Sequence, residues 1–543
     1  MTYSSTGRLF LFVLALFVFF SLGATLRDLT FPDELRCAEV SREMLESGNW
    51  ILPQLNYETY SDKPPLYFWL LSASMAALGK TVFAALFPSI LAGVLTLLVT
   101  YRLGKTLFDP RTAWAGVWIL SSFFLFLLMT QIARMDILLT LFTTAALACF
   151  VHGLRNAQGG RPAMLAGYLC IGAAILTKGP VGLIIPLMGL LVFCLWDKET
   201  FRQGRLYPGQ GLLIMIAIPL FWLIPAALQG GGDYLHEILI TQNAGRLVKS
   251  FDHAEPFYYY FLLFPLLFAP WSFYLLLYFD EGLRRDMVRD RQAVGFLAGW
   301  LFLTLLFFSL LSGKNGNYLL PLTPAVALLV ARVCTPLLQR PAILERTILL
   351  RSVHLLLGVC LCLCAVVLPA VPFKASFMNE WMNLMPTYLV FGAGGGLLLL
   401  GTRRLDAGKA VFLVGATSLL LFGTVSFWLI PRINPYLSLK PMAERILTVA
   451  GPAPKVGGYQ LSMRFLPYYT GTPYRDLQHP ADVARFFRNP GAVVIAEADD
   501  TPAVQKSTGQ PLRTMGEFQI KRKTYLLLQA VKTAGDDLEA RRD

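Results

Sequence analysis

Seven charged residues crowd the stretch FPDELRCAEVSREMLESGNW, residues 31–50: Asp33, Glu34, Arg36, Glu39, Arg42, Glu43 and Glu46. Such a cluster either solvates an ordinary loop and helix or stands at the mouth of a site. In a site, carboxylates orient or deprotonate a reacting group and cations stabilise an anion. Single cations recur further along in short motifs: Lys63 in SDKPPLYFW, Arg134 in ARMDILL, Lys178 in LTKGP, Arg246 in QNAGRLVKSF and Lys314 in SGKNGNY. Asp62 precedes Lys63, and Asp136 follows Arg134 by two positions. A bound phosphate would give these cations a partner. The alternative is that each one snorkels to lipid headgroups.

The elements that must position them are membrane helices. Of 543 residues, 55% are hydrophobic and 15% charged, with a mean hydropathy of +0.55. Soluble domains carry roughly 25% charged residues, so this chain cannot cover itself with polar surface and reads as an integral membrane protein. Its net charge of +13 fits basic cytoplasmic loops rather than nucleic-acid binding. Six of the eight cysteines, Cys149, Cys170, Cys194, Cys360, Cys362 and Cys364, fall in apolar runs. There they act as small hydrophobes, so neither a disulfide nor a zinc site is expected. Cys37 reads as a packing residue. His253 and Glu255 are too few for a metal centre, and no cofactor is expected.

Apolar runs long enough to cross a bilayer fall near 8–26, 82–103, 111–129, 137–153, 163–177, 179–196, 210–228, 257–279, 293–312, 317–337, 349–371, 386–402 and 409–430, about thirteen in all. The first is too long for a cleaved signal and reads as a retained anchor. With the N-terminus in the cytoplasm, every inner loop is basic: Arg102, Lys105 and Arg111; Arg155 and Arg161; Lys198, Arg202 and Arg205; Arg284, Arg285, Arg289 and Arg291; Arg340 and Arg346; Arg403, Arg404 and Lys409. Lys63, Arg134, Lys178, Arg246 and Lys314 are then the outer cations. Cations there do nothing for orientation, and near apolar segments they need partners.

The first outer loop, 27–81, predicts two juxtamembrane helices. One carries an apolar stripe of Leu35, Ala38, Val40, Met44 and Leu45, with Asp33 placed to cap its start and Gly48 its stop. The other begins after Pro64-Pro65. Tyr258, Tyr259 and Tyr260 in EPFYYYFLLFP read first as an interfacial aromatic belt and second as a wall of a sugar or lipid pocket. From about Pro431 to the end at 543, helix-like and strand-like pieces alternate, which predicts a small α/β domain. The spans up to 430 then form a separate membrane domain.

Taken in order, Asp33-Glu34 followed by R-x-A-E-x-S-R-E-M-L-x-S-G-x-W, then Asp62-Lys63-Pro64, Asp136, Lys178 in TKG, Arg246 before PFYYY, and Lys314 with Tyr318, resemble the lipid A aminoarabinose transferases. These belong to the protein mannosyltransferase-like group of GT-C glycosyltransferases. One departure is Asp62, where that family has Glu. The resemblance implies an α-helical polytopic GT-C fold in a bacterial inner membrane, with the active site and C-terminal domain periplasmic. It implies an inverting transfer of a sugar, best 4-amino-4-deoxy-L-arabinose, from a polyprenyl phosphate to a lipid A phosphate.

In that chemistry Lys63, Arg246 and Lys314, with Arg36 and Lys178, would hold the donor phosphate. Asp33 would be the carboxylate at the sugar, and Asp136 either a sugar-orienting group or an ion-pair partner. Glu34 and Asp62 would support the site or meet the acceptor. Tyr318, Tyr258 and Tyr259 would line the sugar or lipid pocket. Partners would be the polyprenyl-phosphate sugar, lipid A or another membrane acceptor, and membrane lipids, without nucleic acid. A GT-C transferase moving a hexose or uronic acid to another lipid, glycan or protein, and a lipid or sugar transporter, are the rival readings. No repeated halves of the transporter kind are evident.

Overall fold

The computed structural model describes residues 5–156, 159–203, 206–245, 255–286, 288–339, 348–370, 381–401, 407–509, 511–520 and 523–531. Among these, nine helices are long and apolar enough to cross a membrane, and eleven spans result if two bent pairs count as one each. The bent pairs are Pro110–Leu120 with Phe124–Thr130, at 69°, and Tyr259–Leu267 with Trp271–Phe279, at 107°. Arg161–Lys178 and the shorter Val181–Trp196 occupy the two remaining expected positions. Each of the thirteen apolar runs is therefore helical, though not every one is a straight span.

The helices that matter for the site are α1 (Ser5–Thr25), α2 (Pro32–Ser47), α3 (Leu66–Leu78), α4 (Val82–Leu107), α5 (Pro110–Leu120), α6 (Phe124–Thr130), α7 (Asp136–Arg155), α8 (Arg161–Lys178) and α9 (Val181–Trp196). The break between α6 and α7 leaves Gln131 to Met135 as a short non-helical link at one end of the bundle. α8 turns into α9 through Gly179 at φ 69°, a left-handed conformation that suits glycine. Gly182 lets the two helices close: a Cβ there would lie 2.3 Å from the Ala174 carbonyl carbon. That tight turn sets Lys178 at the same end of the bundle as the α6–α7 link, where it meets Asp136.

The two ends of the bundle differ in kind. One gathers expected inner-loop residues: Arg155 reaches the Thr106 carbonyl and Asp197, and Arg332 pairs with Asp290 at 2.6 Å. The other gathers the first loop, the α6–α7 link, Lys178 and the C-terminal sheet.

The first loop holds α2 and α3 as expected, with a hairpin between them, β1 (Gln54–Leu55) and β2 (Glu58–Thr59). Its corner, Asn56 and Tyr57, has φ of 58° and 62°. Asn tolerates this; Tyr needs support, and its N–H donates to Glu43 at 2.8 Å while its hydroxyl donates to the Gly471 carbonyl at 3.1 Å. Trp69 and Trp222 donate their indole N–H groups to the carbonyls of Trp50 and Ile51, at 2.6 and 2.8 Å. The loop is thereby fastened to the helix Pro208–His236 as well as to α2.

The last span does not stop at Pro431. A π-helical turn, Val425–Leu429, precedes it and the helix runs on to Leu437. A widened turn accommodates a proline that lacks an N–H and crowds the preceding carbonyls. Beyond it lies a five-stranded sheet of β3 (Val456–Tyr459), β4 (Tyr474–Leu477), β5 (Val493–Glu497), β6 (Leu512–Ile520) and β7 (Lys523–Ala530), in the order β4-β3-β5-β7-β6. The β3–β4 and β3–β5 pairs are parallel and the pairs made by β7 antiparallel. The sheet rests on the first loop. Asn56 donates to the Tyr474 carbonyl at 2.8 Å and accepts from its N–H at 2.7 Å. Arg464 bridges Asp476 and Glu58.

Candidate active site

α2 begins at Pro32, with Phe31 as its N-cap. Asp33, expected to cap the helix, does not do so. Glu34 supplies the acceptor instead, taking the Thr30 and Phe31 N–H groups at 3.1 and 3.2 Å. A buried carboxylate needs such donors, and Glu34 also pairs with Arg27 and accepts the Ala133 N–H at 3.2 Å. It is fully buried. These contacts fit the supporting half of the expectation for Glu34.

Freed from capping, Asp33 turns to the bundle. Its side chain is 35% exposed, pairs with Arg36 one turn on, and meets Arg134 Nη1 at 2.8 Å. Arg134 Nε reaches Asp136 at 3.1 Å. Asp136 opens α7, is buried, and also takes Lys178 Nζ at 2.5 Å. The Lys178 ammonium lies 4.7 Å from the centre of the Tyr318 ring, within cation–π range. The result is a continuous array, Arg36–Asp33–Arg134–Asp136–Lys178–Tyr318, drawn from separate parts of the sequence. Three cations face two carboxylates, leaving one positive charge in excess. The structure thus brings together Asp33, Arg36, Asp136, Lys178 and Tyr318. It adds Arg134, whose position between two carboxylates the spacing alone did not reveal.

Asp62 and Lys63 are half-buried in the turn before α3. Three residues on, Leu66 packs in one apolar cluster with Leu176 of α8, close to Lys178 in sequence. Arg246 and His253 lie outside the described residues.

Lys314 is buried, and its ammonium donates to the carbonyls of Glu255 at 2.7 Å and Leu311 at 2.5 Å. Burial pulls its pKa below the usual lysine range. Two of its three donors go to backbone carbonyls and tie the segment at Glu255 to the end of the helix Arg291–Leu310; the expected phosphate contact would fall to the third. Tyr258 is 48% exposed, as a belt residue is, and Tyr259 is half-buried. The inward tyrosine is Tyr260. Its hydroxyl accepts the Asn315 N–H at 2.8 Å and donates to the Asn315 carbonyl at 3.0 Å. Nothing in the YYY run distinguishes it; only the bend after Leu267 does.

The rest of the opening cluster is internal. Arg42 forks Glu39 at 2.7 Å through two nitrogens and pairs with Glu46, which Lys80 also meets; all but Glu46 and Lys80 are buried. Arg42 stacks toward the Tyr57 ring at 5.7 Å. These charges brace the hairpin under the helix Pro467–Thr470. Burial pushes the Cys37 thiol up to about 12, so it stays protonated and serves packing. Among the described residues no group of three or more His, Cys, Asp or Glu side chains is placed to hold a metal.

The chain is similar to known proteins. Residues 62–223 match the dolichyl-phosphate-mannose-protein mannosyltransferase family. A Pseudomonas aeruginosa undecaprenyl phosphate-alpha-4-amino-4-deoxy-L-arabinose arabinosyl transferase is 30% identical over 391 residues, 70% of this chain and 69% of its own length. Transferase 2 of Sodalis glossinidius, of the same name, is 32% identical over 58% of this chain and 57% of its own. The crystal structure of ArnT from Cupriavidus metallidurans bound to undecaprenyl phosphate superimposes with a TM-score of 0.81 at 21% identity, over 96% of this chain and 98% of that one. The apo form gives 0.80. That likeness establishes a GT-C membrane fold with many apolar helices and a small C-terminal sheet. With it and the sequence match, the chain belongs to the undecaprenyl phosphate-aminoarabinose arabinosyl transferase family of glycosyltransferases.

Proposed function

We propose that this enzyme moves 4-amino-4-deoxy-L-arabinose from undecaprenyl phosphate to a phosphate of lipid A, with inversion, at the periplasmic face of the inner membrane. The observation that carries the reading is the charge array with its one excess cation at the sheet-bearing end of the bundle. The reaction breaks the bond between the anomeric carbon and a phosphate oxygen, whose electron pair leaves with the carrier. An acceptor oxygen attacks the opposite face. The leaving phosphate gains negative charge, and fixed cations stabilise it without reorganising. Lys63, Arg246, Lys178 and Arg36 are the proposed phosphate ligands, with Lys314 contributing through the donor its two carbonyl contacts leave over. Asp33 is the one array carboxylate open to a substrate. Beside the anomeric carbon it would stabilise the positive charge that develops there. A lipid A phosphate attacks already ionised, so it needs no proton removed; a hydroxyl acceptor would need Asp33 as base. Buried Asp136 holds Lys178 and Arg134 in place, and Asp62 supports the turn that presents Lys63. Tyr318 and Tyr259 are proposed to line the sugar or lipid path.

Lipid A from cells with and without the gene, compared by mass spectrometry, tests substrate and acceptor together. An aminoarabinose on a lipid A phosphate should appear only with the gene. A hexose or uronic acid on another glycan would favour the rival transferase.

Orientation is inferred from the two unlike ends. Basic loops at the Arg155–Asp197 end favour the cytoplasm, which leaves the array and the domain from 431 onward in the periplasm. Reporter fusions after Lys198 and Arg289 should read cytoplasmic, and one after Lys455 periplasmic. A cytoplasmic signal after Lys455 would invert the assignment.

A further inference from the structure

We propose that Arg27 is a positioning residue for the transfer reaction, holding the two backbone segments that carry Asp33 and Arg134 at a fixed separation. The inference rests on the transferase reading and names a residue that reading does not use. Arg27 lies between α1 and α2 and is buried. Its guanidinium donates to the Asp28 carbonyl at 3.0 Å, to the Gln131 carbonyl at 2.7 Å, to the Thr30 hydroxyl at 3.4 Å and to the Glu34 carboxylate. Glu34 then takes the Thr30 and Phe31 N–H groups on one side and the Ala133 N–H on the other.

One buried ion pair therefore grips residues 28–34 and residues 131–133 at once. The first segment delivers Asp33 and the second delivers Arg134 and Asp136. Among the described contacts neither Arg27 nor Glu34 touches Arg36, Arg134, Asp136 or Lys178, so the pair acts on the array through backbone alone.

The far segment is itself anchored. The Gln131 side chain donates to the Phe20 carbonyl of α1 at 3.3 Å and accepts from the Ser426 hydroxyl of the last span at 3.2 Å. Gly23 makes room for it: a Cβ there would fall 2.5 Å from Gln131 Nε2. The carbonyl that Arg27 holds thus cannot drift with the link. Within the array Arg134 gives each carboxylate one contact, at 2.8 and 3.1 Å. The Arg27 guanidinium, with its five donors in a fixed fork, reaches four acceptors at once and so binds both segments more firmly. It is the part of the end of the bundle best suited to set a distance.

The test uses the full-length enzyme in detergent, with synthetic undecaprenyl-phosphate aminoarabinose and lipid A, and reports kcat and donor KM per folded molecule. Misplacing a reacting group by about 1 Å costs about 10²-fold. R27Q is therefore expected to lose about 10²-fold in kcat with donor KM within about threefold of wild type, since Lys63 and Lys178 are untouched. R27K keeps a charge for Glu34, but one ammonium cannot span both carbonyls and the carboxylate. It is expected to melt close to wild type and still lose about 10-fold in kcat, a recovery toward but short of normal. If R27Q does not fold, R27K decides. Wild-type kcat in R27K, or kcat and donor KM failing in parallel, would overturn the inference alone. A wild type that transfers nothing from this donor would overturn the transferase reading and this inference with it.

Discussion

Asp33→Asn should abolish most transfer, by about 10² to 10⁴-fold if its charge or basicity is used in the transition state, while the protein still inserts, folds and binds donor. The substitution is close to isosteric, and its structural cost is small for a reason visible in α2. Glu34, not Asp33, satisfies the helix start, so the exchange removes no cap. It removes one negative charge between two guanidiniums. Arg36 is exposed enough to be solvated once its partner is lost, and Arg134 keeps Asp136. A phosphate-binding site made more positive should bind donor at least as well. The variant therefore separates binding from chemistry: donor KM held or lowered, kcat collapsed. Purified enzyme with synthetic donor measures both. Near-normal turnover would return Asp33 to a surface ion pair and make Asp136 the next carboxylate to test.

Much of this arrangement was legible in the sequence because membrane physics writes it plainly. Apolar runs mark the helices, and basic loops mark one end of the bundle. What remained on the other end, Arg134, Asp136, Lys178 and Asp33, had to share a small region. The ordered motifs resembled a family for the same reason, since each sits at the end of a helix that delivers it to one place.

The failures have a common cause as well. Glu39, Arg42, Glu43 and Glu46 have the i, i+3 and i, i+4 spacing of a solvated helix face, yet the first three are buried. What covers them is a turn around Gly471 and Tyr468, more than 400 residues away, and no local pattern announces that cover. The carbonyls that hold Lys314 belong likewise to a bend and a loop end rather than to any motif. Asp33 and Glu34 were indistinguishable as helix starters until the chain's direction at Phe31 was known. The hairpin at Asn56-Tyr57 carried a weak signal, an Asn at a tight corner, but the tyrosine beside it at positive φ is sustained by Glu43, Gly471 and Arg42.

Arg134 should prove as costly to lose as Asp33, and in a different way. It joins Asp33 through Nη1 and Asp136 through Nε, and Asp136 is almost wholly shielded from water. Arg134→Met keeps much of the side-chain length and apolar stem but strips both bonds. Removing one partner of a buried pair typically costs about 3–5 kcal/mol, because the other charge is left uncompensated. Here Lys178 still faces Asp136, so the expected destabilisation is about 3 kcal/mol, the low end of that range. The array would also fall from one excess positive charge to none, and transfer should drop by at least about 10²-fold per folded molecule, the scale seen when one preorganised donor is lost. Arg134→Lys tells charge from geometry. A lysine restores the balance of charge but presents a single ammonium, which cannot lie along both carboxylates as the guanidinium does. It should recover most of the stability and little of the rate. Thermal unfolding in detergent, beside the same transfer assay, reads the two effects separately. Full rate in Arg134→Met would reduce Arg134 to a cation reaching for headgroups, and the array to two unconnected pairs.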